Sequence, residues 1–405
     1  MAVSEGFVGS YPWSACKADE IEIDGHVVFR YIGEFWTSRQ RQERNIHEVP
    51  YRACFKPQLP SFFIDALTVP GNVVYDPFAG RGTTPLVASL MGRRVISNDI
   101  SPLSEVFIKP RLFPPEHSDV LARLYEISYD LSLRAAFSLS MFYDPKTEAE
   151  ICSLRSYFMQ RKKEGTFDLL DAWIRMVATT RLSGHSSGFF SVYTLPPNQA
   201  ILPSRQILIN EKREQVPSYR DTKKLIAKKS KQLLFGLSME EKKRLQSSAQ
   251  TAQILCADAR RTSFISSNSV DLTVTSPPFL DVVAYNTDNW LRCWFCGVDA
   301  DVVGTQITVT PDLGTWSKVM GEVFVELFRM TRPGGFVAFE VGEVRGGKIR
   351  LDEVVVPLGI AAGFLCEGIV IHTQSFTKTA HIWGVSNMSN GTNTNRIVIF
   401  QKPVL

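Results

Sequence analysis

Residues 72–99 constrain the fold more than any other stretch. The apolar run Asn72-Val73-Val74-Tyr75 leads into Asp76-Pro77-Phe78-Ala79-Gly80-Arg81-Gly82-Thr83-Thr84, and Pro85 to Leu90 continue with helical character. The order is strand, glycine-bearing loop, helix. Gly80 and Gly82 lack side chains where a backbone must turn tightly or approach a ligand. The helix start behind them offers free N–H groups to a carboxylate or phosphate. After Met91-Gly92, Arg93 to Ser97 read as a second strand running into Asn98-Asp99. Asp99 follows Gly82 by 17 residues. That is close to the position where an acidic residue meets a ribose hydroxyl pair in mononucleotide-binding folds.

The same texture returns downstream. Gln253 to Ala257 read as a strand ending in Asp258, and Val270 to Thr275 as another, with Ser276-Pro277-Pro278-Phe279 at its carboxyl end. Ligands of open α/β sheets sit beyond strand carboxyl ends, so one crevice can collect Asp76, Asp99, Asp258 and Ser276. Val319 to Met330 read as an amphipathic helix, 332–335 as a turn, 336–341 as a buried strand, 354–362 as a helix, and 364–373 and 396–400 as closing strands. Near the start, alternation around Asp24-Gly25 predicts a hairpin. An apolar helix over 61–67 stops before Pro70-Gly71.

Residues 116–250 differ. Leu121 to Met141 and Leu169 to Leu182 have helical periodicity, with a polar connection at 160–165. A stretch rich in glycine, serine and aromatics follows at 184–199. Residues 211–246 then carry 11 Lys and Arg against five acids. Cations beside an amide-bearing aromatic loop suit a DNA-reading insertion, and an ordinary lysine-rich surface suits the same composition. Arg39 and Arg41 near Phe35 and Trp36 are equally open. The candidate phosphate contacts are Arg39, Arg41, Lys212, Arg213, Arg220, Lys223, Lys224 and Lys228.

Composition excludes some classes. With 44% hydrophobic and 21% charged residues over 405 positions, the chain has the make-up of a soluble globular protein. No apolar run nears the roughly 20 residues that span a bilayer, and no basic segment followed by an apolar block opens the chain. The seven cysteines are scattered and odd in number, as in a reducing cytosol. Cys293 and Cys296 have C-x-x-C spacing but lack a second ligand pair, so buried core cysteines are expected and no metal. A net charge of +4 permits a nucleic-acid partner without requiring one.

Ser276-Pro277-Pro278-Phe279 carries the most specific chemistry. Two prolines fix the backbone and remove two donors. The serine hydroxyl and proline carbonyls are left as acceptors beside an aromatic face, which suits an exocyclic amine on a planar heterocycle. The lone pair of a cytosine N4 amine is delocalised into the ring. Accepting its hydrogens favours an sp³-like nitrogen and frees that pair. A paired base hides this amine, so it must first be flipped out.

At these residues the chain resembles the S-adenosylmethionine-dependent amino-DNA methyltransferases. Asp76 to Thr84 looks like their cofactor motif. Thr275 to Phe279 looks like their catalytic motif, in the serine-headed form typical of N4-cytosine enzymes. Phe55-Lys56-Pro57-Gln58-Leu59-Pro60 resembles the segment that closes over the methionine moiety, and Arg332 to Gly335 the turn before the fifth strand. The resemblance implies a Rossmann-like α/β fold with a mostly parallel seven-stranded sheet. It implies a catalytic domain from 51–115 and 251–405, an N-terminal extension over 1–50, and a helical insertion over 116–250 that reads the target. Lys56, Pro57, Asp76, Pro77, Phe78, Gly80, Gly82, Thr83 and Thr84 would surround the cofactor. Asp99 would bind its ribose beside Ile100, and Asp258 its adenine amine beside Ala259. Ser276, Pro277, Pro278 and Phe279 would hold the base. Arg81 stands where serine is common and would add a cation near the cofactor carboxylate. No cysteine follows a proline, so a C5-cytosine mechanism is not expected. The implied partner is double-stranded DNA, with a companion restriction endonuclease and a monomer or dimer both open, in the cytoplasm of a bacterial or phage-infected cell. N6-adenine methylation and a non-catalytic DNA-binding protein with a decayed site remain as alternatives.

Overall fold

The computed structural model describes residues 16–36, 44–52, 54–194, 201–280, 285–345, 347–373 and 394–404. Arg39 and Arg41 lie outside them. The strands are β1 Lys17–Ile23, β2 His26–Gly33, β3 Val73–Asp76, β4 Arg94–Asn98, β5 Gln253–Leu255, β6 Val270–Thr275 and β7 Thr331–Val341. The short pair β8 Glu343–Val344 and β9 Ile349–Arg350 follows, then β10 Leu365–Thr373 and β11 Thr394–Gln401. Nine of them form one sheet in the order β1-β2-β10-β11-β7-β6-β3-β4-β5.

β5, β4, β3, β6 and β7 are parallel neighbours, and β11 is antiparallel to both β7 and β10. These seven strands form a Rossmann-like, mostly parallel sheet. β3 and β6 are buried at every position, as parallel strands covered on both faces should be. Successive side chains alternate between two cores. Tyr75, Val270 and Phe339 pack with Trp316, Phe324 and Val355 from the helices Leu313–Met330 and Leu351–Ala361. Val74, Leu272 and Ala338 pack with Phe63 and Val87 from the helices Gln58–Leu67 and Thr83–Leu90.

The sheet is wider than the expected seven strands because the β1–β2 hairpin joins it. Asp24 and Gly25 both have positive φ, 50° and 77°, the two-residue turn that hairpins favour. β2 pairs in parallel with β10 from Ile369↔Arg30 to His372↔Gly33. An apolar β10 edge would otherwise lie open to other chains, and with β2 in place Ile369 and Ile371 are buried.

Six helices lie between His117 and Thr251 among the described residues. Most pack around a separate core in which Phe142, Phe158 and Trp173 meet Phe107 of Leu103–Leu112 and Phe295 of Tyr285–Cys296. Cys293 and Cys296 are buried in this core. Met239–Thr251 instead returns to the sheet layer, where Ser248 Oγ lies 2.8 Å from Ser89 Oγ.

Local differences from the sequence pattern have local causes. The helix expected from Leu121 to Met141 is His117–Glu126 only. Beyond it Asp130 accepts from Ser132 N at 2.9 Å and Glu148 from Ala135 N at 3.2 Å, so side chains supply what helix carbonyls would. The polar stretch at 160–165 begins as the last turn of a 19-residue helix, Pro145–Lys163, capped at Asp144. β5 ends at Leu255, so Asp258 lies in the loop after the strand. No helix of the described residues is long and apolar enough to cross a membrane.

Gly82 fixes how loop and helices meet. It caps Thr83–Leu90 with φ 80°, and an ideal Cβ there would lie 2.2 Å from Ile108 Cγ1. Gly82→Ala therefore combines left-handed strain with overpacking. It should destabilise the protein by about 2–4 kcal/mol in chemical denaturation.

Candidate functional site

The glycine loop is tied down from three directions. Asp76, 1% exposed, accepts from Thr275 Oγ1 at 2.7 Å and from Phe78 N at 3.1 Å. Asp99 accepts from Gly80 N at 2.7 Å and Ser101 N at 2.9 Å. Asn98 donates to the carbonyls of Ala257, at 2.9 Å, and Pro77, at 3.3 Å, while its own carbonyl receives Ala79 N at 3.0 Å. The ends of β3, β4 and the loop after β5 are thereby stitched side by side. Arg81 is spent on structure: it donates to Val49 O at 2.9 Å and Phe55 O at 3.2 Å. The expected free cation near a cofactor carboxylate is instead a clamp on the 44–55 segment.

One cavity opens over these strand ends, with an empty volume of about 1200 Å³ counting its mouth. Pro77, Phe78, Gly80, Asp99, Ile100, Asp258, Ala259, Ser276, Pro277, Pro278 and Phe279 all line it. The two motifs, some 190 residues apart in sequence, thus share one wall-to-wall space. Strand order reverses between β3 and β6, the switch point where such sheets hold ligands. Asp76, Gly82, Thr83 and Thr84 stand behind the loop instead. Thr84 Oγ1 donates to Val274 O at 3.1 Å, and Thr83, Thr84 and Asp76 are buried. Pro57 is buried at the start of Gln58–Leu67 and Lys56 is exposed; neither lines the cavity.

The carboxyl groups of the site fall into two electrostatic kinds. Burial pushes Asp76 up to about 7 and Asp99 up to about 6. Asp258 is held below the ordinary range by Arg260, which grips both its oxygens at 2.6–3.0 Å. Its carboxylate keeps further lone pairs for an incoming amine.

Sequence reasoning missed Glu340. Thr275 pairs with Phe339 across β6 and β7, so Glu340 comes level with Ser276. The Ser276 hydroxyl lies beside its carboxylate and favours the charged form, and Asn395 Nδ2 donates to it at 2.9 Å. Burial raises Glu340 to about 7. The signal was one acid inside the apolar run Phe336-Val337-Ala338-Phe339-Glu340-Val341. The sequence also left out Trp316, whose Nε1 donates to Pro278 O at 2.9 Å and so fixes the proline loop. It left out Tyr51 and Arg52 on the opposite wall, where Arg52 pairs with Asp288 at 2.7 Å.

The six basic candidates among the described residues neither line this cavity nor share one role. Lys223 Nζ donates to Ile127 O at 2.6 Å, Arg213 lies over the Tyr193 ring at 3.8 Å, and Arg220 is partly buried with Nε enclosed. Lys224 pairs with Asp221 at 3.4 Å. Lys212 and Lys228 are exposed.

The donor set fits a nucleoside-bearing methyl donor. Asp99 faces the cavity and would accept from a ribose. Ile100, Ala259, Val319 and Met320 line it too and would leave an apolar slot for a purine, with Phe78 and Gly80 toward the reacting end. Residues 15–105 match the family model N6_N4_Mtase, a DNA methylase. The Type II methyltransferase M.BsoBI of Geobacillus stearothermophilus is 22% identical over 316 residues, 72% of this chain. The Type II methyltransferase M.MjaII of Methanocaldococcus jannaschii is 33% identical over 91 residues, 22% of this chain. The chain is thus similar to DNA methylases over residues 15–105 and, at lower identity, over most of its length. The chain spans 61% of the length of the first relative and 16% of the second. Among solved structures, a SAM-dependent methyltransferase from Methanosarcina mazei overlaps 85% of this chain and 98% of its own at 10% identity and a TM-score of 0.33. At that score the strand order of this chain carries the fold assignment by itself.

S-adenosyl-L-methionine is the cofactor this site fits. Asp99→Asn should weaken its binding roughly 10- to 100-fold in calorimetric titration, as loss of a charged hydrogen-bond acceptor predicts.

Proposed function

We propose that the protein transfers a methyl group from S-adenosyl-L-methionine to the exocyclic N4 amine of a cytosine flipped out of double-stranded DNA. The observation that carries this reading is the single cavity lined by both Asp99 and the Ser276-Pro277-Pro278-Phe279 loop, with Glu340 behind the serine. The cofactor, when bound, supplies an electrophilic methyl and leaves as a neutral thioether. Everything else falls to the chain.

Ser276 donates its own hydrogen to Glu340, so the hydroxyl lone pairs remain for an N4 hydrogen. The Pro277 carbonyl is a second acceptor on the same loop. Phe279 offers a face on which the base stacks. Accepting both hydrogens draws the amine out of conjugation and turns its lone pair toward the methyl. Alignment of the two reactants then supplies much of the acceleration. As the N–C bond forms, the nitrogen becomes cationic and must lose a proton. That proton passes to Ser276 Oγ while the serine hydrogen moves to Glu340, which ends protonated. A carboxyl raised to about 7 can accept it near neutral pH. The helical segment 116–250 is the proposed target-reading region, with exposed Lys212 and Lys228 as its simplest phosphate contacts.

Digestion of treated duplex to nucleosides, with mass detection, should find N4-methyldeoxycytidine. Recovery of N6-methyladenine alone would leave the methyltransferase reading standing and remove the cytosine one. Ser276→Ala should lower kcat roughly 100-fold or more without loss of cofactor binding.

The relay also has a pH signature. Glu340 must be ionised to act as acceptor, so kcat should rise with pH through about 7. In Glu340→Gln the rate should be low and that limb absent. An unchanged limb would remove Glu340 from the proton path.

A further inference from the structure

A second cavity, with an empty volume of about 1100 Å³ counting its mouth, lies among the helices Leu103–Leu112, Pro145–Lys163 and Leu169–Thr179. None of its lining residues belongs to the site described above. Glu105, Lys109, Lys162, Phe167, Asp168 and Arg175 carry its chemistry. Arg175 is 7% exposed, and its Nε and Nη1 have no hydrogen-bond partner. Its guanidinium lies 4.7 Å from the centre of the Phe167 ring, and Lys162 Nζ lies 5.5 Å from the same ring on the cavity wall.

The nearby acids are already committed. Glu105 pairs with Lys109 at 3.3 Å. Asp168 pairs with Arg123 at 2.9 Å and accepts from Asp171 N at 2.8 Å as the helix cap. Asp171 takes Arg123 at 2.5 Å and Arg161 at 2.6 Å. No ion pair among the described residues involves Arg175 or Lys162. A buried charge without a counter-charge is costly, and its own fold ordinarily supplies one. Arg175 is such a charge, and burial pulls it down, whereas Lys162 is exposed and adds its cation along the same cavity. The unbonded Nε and Nη1 of Arg175 leave donors for an anion.

We propose that this cavity binds a phosphate group, held by Arg175 and Lys162 with Lys109 at the mouth. The planar guanidinium presents paired donors that match phosphate oxygens. Two unpaired cations match a dianion, or the diester of a nucleic-acid backbone. The phosphate can belong to a free phosphorylated molecule or to DNA.

The test uses the full chain. Inorganic phosphate is titrated against chloride at equal ionic strength while thermal unfolding is followed. Wild type should show saturable stabilisation by phosphate above that in chloride. Arg175→Met should weaken the apparent affinity at least tenfold. If that variant fails to fold, Lys162→Ala, at an exposed position, should still weaken it severalfold. The salt dependence of duplex binding separates the sources: a slope lower by about one in the Arg175 variant assigns a backbone phosphate. Protection by phosphate with an unchanged slope assigns a free anion. No protection together with an unchanged slope overturns the proposal, as does protection that persists undiminished in the variants. None of these readouts needs methyl transfer, so failure here and failure of the proposed activity remain distinguishable.

Discussion

The Thr275 hydroxyl donates to the Asp76 carboxylate at 2.7 Å and so joins the carboxyl ends of β6 and β3. Those strands are also paired in register through Val74↔Leu272 and Tyr75↔Thr273. Strand order reverses between them, and the chain leaves each in a different direction, toward the glycine loop and toward the proline loop. A buried carboxyl is unfavourable unless its lone pairs are used, and Asp76 uses them on the two segments that must stay adjacent. Asn98 and Asp99 repeat the arrangement one strand over, with backbone N–H groups as donors. The cavity is the space these bonds hold open.

Around that space the protein divides its acids by environment. Asp76, Asp99 and Glu340 are raised by burial, whereas Asp258 is lowered by Arg260. Groups of one chemical type thereby become suited to different tasks. Asp99 keeps a hydrogen-bonding edge toward the cavity. Glu340 sits behind Ser276 at a pKa matched to proton transfer near neutrality. Rigid supports matter as much as charge: Trp316 holds the Pro278 carbonyl, and Arg81 holds the segment that carries Tyr51.

The helical layer obeys other rules. Its core is rich in aromatic side chains, and many cations of the 116–250 segment are absorbed by neighbours. Lys229 pairs with Glu48 at 3.0 Å, Lys242 with Glu116 at 2.5 Å, and Lys223 bonds a carbonyl. A count of lysines and arginines therefore overstated the surface free to meet DNA. Arg175 is the opposite case, a cation inside the layer whose guanidinium the fold leaves partly unbonded.

What could be read from the sequence was decided by neighbours a few positions away. The strand, loop and helix at 73–90, the Asp24-Gly25 turn and the paired prolines after β6 follow from residue type and spacing, because φ, capping and alternation are local. That one crevice could collect Asp76, Asp99, Asp258 and Ser276 followed too, since each motif marks a strand end, while the mostly parallel sheet came from the family resemblance. Partnerships across the sheet did not. Glu340 reaches Ser276 only because β7 lies beside β6 in one register, and β2 covers β10 although some 340 residues separate them. Arg81 and Lys223 read as free charges until folding brought carbonyls to them, and Asp258 until Arg260 curled back onto it. Alternation sets which face a side chain occupies. Which partner waits on that face is set by strand order and packing, and these arise only when the whole chain closes.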